Sequence, residues 1–234
     1  GIGGAAQALP KSAQVVCAVD QNVYARSVYK ANYPGHRIEA WNLATLWASK
    51  LERLNADLWW MSPPCQPFTV RGIQRDLDDR RCEPLKRVMT LIPQLRPPRI
   101  ALENVVPFAE SRAHAQLQEV LSKAGYRVRT RILCPTELGI PMQRPRFYLI
   151  ASLNPLPDWK PLRSRPRRLE SYLDEAPAPE TEVSPALLKR YADALPISDT
   201  RAFPRACVFS GQRQRASPSW RCGDGGTRGL YRPS

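Results

Sequence analysis

The chain has 234 residues, with 35 lysines and arginines against 21 aspartates and glutamates, a formal net charge of +14 and a pI near 10.0. This length is sufficient for one α/β domain and part of a second, and the positive charge indicates a polyanionic partner, most commonly nucleic acid. No stretch has the roughly 18 apolar residues of a membrane span, the cysteines form no CxxC pair, and the two histidines have no metal-ligand spacing. We therefore expect a soluble protein of the cytoplasm, or of the nucleus if eukaryotic, that has reduced thiols and engages neither membrane nor metal.

The first two thirds of the chain alternate short apolar segments with helical patterns. Predicted strands cover residues 14–20, 57–61, 100–104, 126–133 and 146–151. One predicted helix begins at Val23 and ends before Pro34-Gly35, and a second covers residues 113–123 and ends at Gly125. This alternation is typical of a doubly wound, mainly parallel α/β sheet, whose ligands bind at the carboxyl ends of the strands.

The composition changes after residue 155. Proline-rich segments follow, with a run of arginines at Arg163, Arg165, Arg167 and Arg168 that is either a phosphate-contacting surface or simply solvated. Residues 187–195 fit one more helix, and the final segment is rich in Arg, Gly and Ser. We predict a first domain over residues 1–155 and a partial second region with an irregular tail over residues 156–234.

Residues 62–69 read Ser-Pro-Pro-Cys-Gln-Pro-Phe-Thr, directly after the predicted strand that ends at Met61. Each proline fixes its own φ and steers the preceding residue away from helical geometry, so the backbone around Cys65 has few conformations. A thiol held in this way at a strand end is a candidate nucleophile. A lone cysteine is more often a buried, unreactive hydrophobe, so Cys65 alone leaves both interpretations open.

Four other features lie at predicted strand ends or turns. Residues 1–4, Gly-Ile-Gly-Gly, could let a cofactor approach the backbone. Asp20 ends a strand, where a carboxylate either accepts from ribose hydroxyls or caps an ordinary turn. Glu103 ends another strand, as a solvated rim residue or as a proton donor. Arg144 and Arg146 bring two guanidinium groups to a sheet edge, or form a merely solvated turn.

The order of these features is more specific than any one of them. It runs Gly-Ile-Gly-Gly, a strand-end Asp, Pro-Pro-Cys-Gln-Pro-Phe-Thr, Glu-Asn-Val and Gly-Ile-Pro-Met-Gln-Arg-Pro-Arg-Phe-Tyr-Leu-Ile-Ala. The set resembles the cytosine carbon-5 methyltransferase family over about residues 1–211, and its wording is most similar to the tRNA-methylating branch formerly grouped with DNA methyltransferases. The resemblance implies an α/β, Rossmann-like class I S-adenosylmethionine-dependent methyltransferase fold with a partial, smaller target-recognition region.

The resemblance implies four catalytic residues. Cys65 would attack carbon 6 of cytosine, and carbon 5 would then take a methyl group from S-adenosylmethionine. Glu103 would donate a proton at the ring nitrogen and exocyclic amine, Arg144 would contact the base, and Arg146 would buttress the site. Because a free cysteine is only slightly ionised at neutral pH, the nucleophile needs positive charge nearby, and Arg144 is the candidate source.

The resemblance also implies the cofactor site. Gly1, Ile2, Gly3 and Gly4 would lie against the methionine part, Asp20 against the ribose, Asn42 and Leu43 near the adenine, and Pro63 beside the sulfonium. Asn42 stands where the family often has aspartate, and its amide oxygen can still accept from the adenine amine. No metal is implied.

The sequence departs from the family pattern in three places. The glutamine that should precede the first arginine by two positions is displaced by one, to Gln143. The chain begins inside the glycine motif, without the strand that precedes it in the family, and the sequence after about Val208 lacks the closing motif. We therefore expect an incomplete copy, which leaves open a nucleic-acid-binding remnant without catalysis.

The favoured function is methylation of carbon 5 of cytosine in tRNA by a monomer. A loop cytosine is easier to unstack into a pocket than a paired one. The alternative substrate is duplex DNA, read through its major groove. The region after residue 155 is short for a DNA-reading module, which favours tRNA.

Overall fold

Two sheets and five helices account for most of the regular structure in the computed structural model, which describes residues 1–69, 74–158, 164, 165, 167 and 169–172. The helices are α1 Gly4–Ala8, α2 Val23–Asn32, α3 Ala48–Glu52, α4 Glu83–Leu95 and α5 Arg112–Lys123. The strands are β1 Ala18–Val19, β2 Ile38–Glu39, β3 Leu58–Met61, β4 Arg99–Asn104, β5 Arg127–Leu133 and β6 Arg146–Ser152.

The chain divides into two units, Gly1–Pro166 and Arg167–Ser234. All of these helices and strands lie in the first unit, and the described part of the second contains a 3-10 turn at Leu169–Tyr172. The predicted helix at 187–195 and the predicted tail lie outside the described residues, as do two of the four arginines in the predicted run.

The larger sheet has the strand order β3-β4-β6-β5. The β3–β4 pair is parallel, whereas β6 runs antiparallel to both β4 and β5. In the described part of the chain, β3, β4 and β5 therefore run in the same direction and β6 runs against them, so the predicted mainly parallel arrangement holds for three of the four strands. The antiparallel direction of β6 follows from its connection to β5 over residues 134–145, which contains a 3-10 turn, Pro135–Leu138, but no crossover α-helix to carry the chain back to the other end of the sheet.

The second sheet consists of β1 and β2 alone, paired in parallel. The strand predicted over residues 14–20 is shorter than expected, because β2 offers only two residues for pairing with Ala18 and Val19. The Asp20 N–H still donates to the Glu39 carbonyl oxygen at 3.1 Å. This bond extends the ladder and brings the residues after both strands to one edge.

The hydrophobic core lies where α4 and α5 pack with the larger sheet. In β4, Ile100 and Leu102 are fully buried, as expected for a strand with neighbours on both sides. The sequence analysis did not predict α4, although Leu85, Val88, Met89 and Ile92 follow a helical spacing. Two prolines obscure the pattern: Pro84 occupies the first turn, where no N–H donor is needed, and Pro93 lies in the last turn.

The helix α5 begins and ends close to the predicted positions. The Ser111 side chain accepts from the His114 N–H and caps the first turn. At the other end Gly125 has a φ of 83°, a left-handed conformation that glycine adopts without steric cost.

In the ranges that the structure covers, no helix is long and apolar enough to cross a membrane. Among those same residues, no group of histidine, cysteine, aspartate and glutamate side chains could hold a metal ion.

Candidate active site

Cys65 lies just beyond the end of β3 and precedes a 3-10 turn, Gln66–Phe68. The Phe68 N–H donates to the Cys65 carbonyl oxygen at 2.9 Å, and Pro67 and Phe68 are buried. The Cys65 side chain is only partly buried. The Cys65 thiol is therefore partly exposed, while Pro67 and Phe68, which follow it, are buried in the core.

Asn104 connects the turn before Cys65 to the end of β4. This side chain is 2% exposed. Its Nδ2 donates to the Pro63 carbonyl oxygen at 3.4 Å, and its Oδ1 accepts from the Val105 N–H at 2.8 Å. Because β3 and β4 are parallel neighbours, Cys65 and Glu103 lie at adjacent strand ends on the same edge of the sheet, and Asn104 ties the two ends together.

Glu103 forms an ion pair with Arg146, and the distance from Arg146 Nε to Glu103 Oε1 is 3.2 Å. The two side chains are 25% and 20% exposed, respectively. Arg146 also donates from Nη1 to the Pro145 carbonyl oxygen at 2.8 Å. The guanidinium group is thus held from two sides, and it limits the orientations that the Glu103 carboxylate can adopt.

Arg144 differs from Arg146, because its side chain is exposed. Its charge acts on Tyr148, which lies opposite Glu103 in the β4–β6 register. Burial raises the pKa of Tyr148 and the negative charge of Glu103 raises it further, while Arg146 and Arg144 oppose the shift. The structure therefore brings Glu103 and Arg146 into contact and leaves Arg144 at the surface beside them.

A cluster of aromatic side chains packs between the turn after Cys65 and the start of β6. The Phe108 ring meets Phe68 edge to face, with centroids 4.9 Å apart, and lies 5.6 Å from Phe147. His114 contacts both Phe108 and Phe147. Its Nδ1 lies 2.7 Å from the Ala109 carbonyl oxygen, and burial lowers the pKa of His114. The cluster links the turn after Cys65 to the start of β6.

Arg81 is a cation near the turn that follows Cys65 in the described part of the chain, and the sequence analysis did not identify it. The 3-10 turn after Cys65 packs against a second one, Arg80–Cys82. The Arg81 guanidinium group donates two hydrogen bonds to the Asp79 carboxylate, from Nη2 to Oδ2 at 2.6 Å and from Nε to Oδ1 at 2.9 Å.

Hydrogen bonds and nearby charges shift the pKa values of both Arg81 and Asp79. Hydrogen bonds from Arg81 lower the pKa of Asp79 to about 2. The hydrogen bond to Asp79 raises the pKa of Arg81, as do the negative charges of Asp79, an ionised Cys82 and an ionised Cys65. The interaction with Cys65 means that Arg81 lies within electrostatic range of the thiol.

We expect Arg81→Gln to slow alkylation of Cys65 by iodoacetamide about two- to fivefold at neutral pH, because an exposed charge at this range favours the thiolate only modestly. Peptide mass spectrometry measures the rate, and the difference should shrink at high salt concentration, which screens the charge of an exposed arginine. Arg80→Gln is the matched control, because Arg80 is exposed in the same turn and its removal changes the net charge equally. Equal slowing by both variants would contradict a specific effect of Arg81.

The residues predicted for the methionine and ribose parts of the cofactor lie together. Gly3 has a φ of 107°, and a Cβ atom at Gly1 or Gly4 would have no other atom within 4 Å, so there is open space beside these two glycines. The Gly1 amino group contacts the Asp20 carboxylate, while Ile2 is largely exposed. Burial tends to raise the pKa of Asp20, but the bonds from the Gly1 amino group and the Asn22 N–H outweigh it and the net shift is downward.

The residues predicted for the adenine follow β2. The Asn42 side chain accepts from the Ala44 N–H at 3.0 Å and caps the 3-10 turn Leu43–Thr45. Asn42 and Leu43 therefore lie beyond the same edge of the small sheet as Asp20. Pro63, in contrast, is bonded to Asn104 on the side of Cys65 and Glu103.

Comparison with known proteins agrees with this geometry. The family model described as C-5 cytosine-specific DNA methylase matches residues 1–195. The tRNA (cytosine(38)-C(5))-methyltransferases of Bos taurus and Homo sapiens are 41% and 40% identical, over 67% of this chain in both cases and 41% and 42% of the relatives. The chain therefore spans less than half the length of these curated relatives.

Solved structures show the same relationship. The crystal structure of the Schizosaccharomyces pombe Dnmt2 methyltransferase matches with a TM-score of 0.72 and 30% identity, over 84% of this chain and 65% of that one. The Entamoeba histolytica methyltransferase EhMeth matches with a TM-score of 0.70 and 26% identity, over 75% and 57%. Because this family model matches residues 1–195, most of its length, the chain belongs to the C-5 cytosine-specific DNA methylase family.

Proposed function

We propose that this chain carries the catalytic centre of a tRNA cytosine-5 methyltransferase that uses S-adenosylmethionine. The observation that carries the proposal is the placement of Cys65 and Glu103 at the ends of the parallel neighbours β3 and β4, tied by the bond from Asn104 to Pro63. A nucleophile and a carboxylate on one edge are what addition to a cytosine ring requires.

In the proposed reaction, the Cys65 sulfur forms a bond to carbon 6 of the cytosine. The electron pair of the carbon 5–carbon 6 double bond moves to carbon 5, which would gain the methyl group as the bond between that methyl group and the sulfonium sulfur breaks and S-adenosylhomocysteine leaves. Loss of the carbon 5 proton to solvent then restores the double bond and breaks the bond from carbon 6 to sulfur. Cys65 is released unchanged.

Glu103 would contact the ring nitrogen and the exocyclic amine, would supply a proton as negative charge develops during addition, and would take that proton back when the bond from carbon 6 to sulfur breaks. The ion pair with Arg146 supports this role because it holds the carboxyl group in one orientation. Arg144, which is exposed beside the pair, is proposed to contact the base.

The residues fit S-adenosylmethionine, which would supply an electrophilic methyl group when bound. Gly1, Ile2, Gly3 and Gly4 would flank the methionine part, and the open space beside Gly1 and Gly4 supports this. Asp20 would accept from the ribose hydroxyls, Asn42 and Leu43 would border the adenine, and Pro63 would lie near the sulfonium. Asp20 and the residues after β2 lie at the same end of the small parallel sheet, and this placement supports the assignment of the ribose and the adenine.

The tRNA substrate is proposed from the names of the relatives, of which the Schizosaccharomyces pombe protein, 36% identical over 68% of this chain, is also a tRNA (cytosine(38)-C(5))-methyltransferase. The net charge of +14 supports an anionic substrate. Duplex DNA is the second candidate, because a relative from Dictyostelium discoideum, 32% identical over 66% of this chain, is named a DNA (cytosine-5)-methyltransferase. The monomeric state, the cytoplasmic location and a domain boundary near residue 155 stay predictions.

One assay tests these candidates: the 234-residue chain is incubated with methyl-labelled S-adenosylmethionine and either tRNA or duplex DNA. We expect label in tRNA, and Cys65→Ala should reduce it by more than about 10⁴-fold because the nucleophile is lost. Cys17→Ala is the matched control, since Cys17 is also a partly buried free cysteine. Label in DNA alone would favour the second candidate, and label in neither would indicate nucleic-acid binding without catalysis.

A further inference from the structure

The glycine turn at the start of the chain is held by the side chain of Tyr33, the residue that caps the C-terminal end of α2. The Tyr33 hydroxyl donates to Gln7 Oε1 at 2.9 Å and also lies 3.4 Å from the Gly3 carbonyl oxygen. A Cβ atom on Gly3 would come within 2.5 Å of Tyr33 Cε2 and 3.3 Å of Tyr29 Cδ2. The two rings therefore pack directly against the Gly3 backbone, and the side chain of any other residue at this position would collide with Tyr33.

The Tyr33 ring has little freedom to leave this position. It stacks on His36, with centroids 5.0 Å apart and planes within 9°, and its centroid lies 5.1 Å from that of Tyr29. Tyr29 is 4% exposed, and its hydroxyl lies 2.9 Å from His36 Nδ1. These contacts form a closed set of three rings behind the glycine turn.

The opposite end of the same helix holds Asp20. The Asn22 N–H donates to Asp20 Oδ1 at 2.8 Å, and the Asn22 side chain accepts from the Ala25 N–H to cap α2. Arg26 donates from Nη1 to the carbonyl oxygens of Asp20 and Gln21 at 3.0 and 2.7 Å. The helix α2 and its capping residue Tyr33 therefore contact both of the segments assigned to the cofactor.

We propose that α2 fixes the spacing between the glycine turn and Asp20, and that Tyr33 is the positioning residue that sets the turn for S-adenosylmethionine. This inference rests on the proposed function, in which the turn meets the methionine part and Asp20 meets the ribose. Tyr33 acts through Gly3 and Gln7 and touches no reacting atom.

The test uses the 234-residue chain with Tyr33→Leu, which removes the ring and the hydroxyl, and Tyr33→Phe, which removes the hydroxyl alone. Isothermal titration calorimetry measures the Kd for S-adenosylmethionine, and steady-state kinetics give kcat and the KM for each substrate. Tyr33→Leu should raise the Kd and the KM for S-adenosylmethionine about tenfold or more, and Tyr33→Phe about threefold. The KM for tRNA and the kcat at saturation should stay at the wild-type values.

Tyr24→Leu is the matched control, because Tyr24 lies on the same helix but is 79% exposed, and it should leave the Kd unchanged. A wild-type Kd in Tyr33→Leu would overturn the inference. If that variant does not fold, Tyr33→Phe decides, and a wild-type Kd there overturns the inference as well. Equal changes in both KM values and kcat would indicate a general structural role and would also overturn it.

The calorimetry separates this inference from the proposed function. A wild-type chain that binds S-adenosylmethionine but methylates neither tRNA nor DNA would remove the proposed function and leave the role of Tyr33 open to the same Kd comparison. A wild-type chain that does not bind S-adenosylmethionine would overturn both.

Discussion

Glu103→Gln is expected to lower kcat for methyl transfer to tRNA by a factor on the order of 10²–10⁴, the usual contribution of a positioned general acid. Glutamine keeps the size and shape of the side chain but cannot transfer a proton to the cytosine ring. The KM for S-adenosylmethionine should change little, because Asp20, Asn42 and Leu43, which are assigned to the ribose and the adenine, lie at the edge of the other sheet. Single-turnover kinetics with labelled cofactor measure the effect.

The matched control is Glu110→Gln, which removes an exposed carboxylate in the segment that follows β4 and should leave kcat unchanged. A kcat for Glu103→Gln within about threefold of wild type would contradict the role of general acid. Stability should fall by no more than about 1 kcal/mol, because the ion pair with Arg146 is partly exposed and screened by solvent. A loss of activity can then be separated from a loss of folded protein.

Phe108→Ala is expected to reduce the free energy of unfolding by about 3–5 kcal/mol, as for other fully buried aromatic side chains. Phe108 is 0% exposed, and the substitution leaves Phe68, Phe147 and His114 facing a cavity. Chemical denaturation with urea measures the loss. Phe108→Leu, which refills most of the space, should lose less than half as much.

This cavity should also lower activity in the molecules that stay folded. Phe68 closes the turn that begins after Cys65, and Phe147 follows Arg146 in β6. Looser packing between these two rings would let the thiol and the Glu103–Arg146 pair shift relative to each other. A destabilisation of less than about 1 kcal/mol would show that Phe108 is not the centre of this support.

The strands that carry the site could be predicted because their signals are local. The apolar run before the Ser-Pro-Pro-Cys segment and the apolar run that ends at Glu103 each mark a strand end without any knowledge of the partner strands. The family motifs then gave the order of these ends along the chain. In contrast, the antiparallel position of β6 depends on which strands pair, and the apolar pattern of a single segment does not contain that information.

The supporting residues were missed because their contacts join distant parts of the chain. Asn104 reaches Pro63 from a separation of 41 residues, and Tyr33 reaches Gln7 from 26. Arg81 lies close to Cys65 only because two 3-10 turns pack together. Each of these side chains is ordinary in its local sequence, so only the three-dimensional structure shows what it holds.

The division of the strands between two sheets has a consequence for cooperativity. In the described part of the chain, no ladder of backbone hydrogen bonds joins β1 and β2 to the four-stranded sheet. The small sheet is connected instead through helix packing, including the packing of α3 on α4 and the bond from Arg87 Nε to the Leu46 carbonyl oxygen at 2.9 Å. Elements joined in this way open locally as separate units, each with its own free energy. The segments proposed to hold the cofactor can therefore open locally while Cys65 and Glu103 stay in place at the edge of the larger sheet.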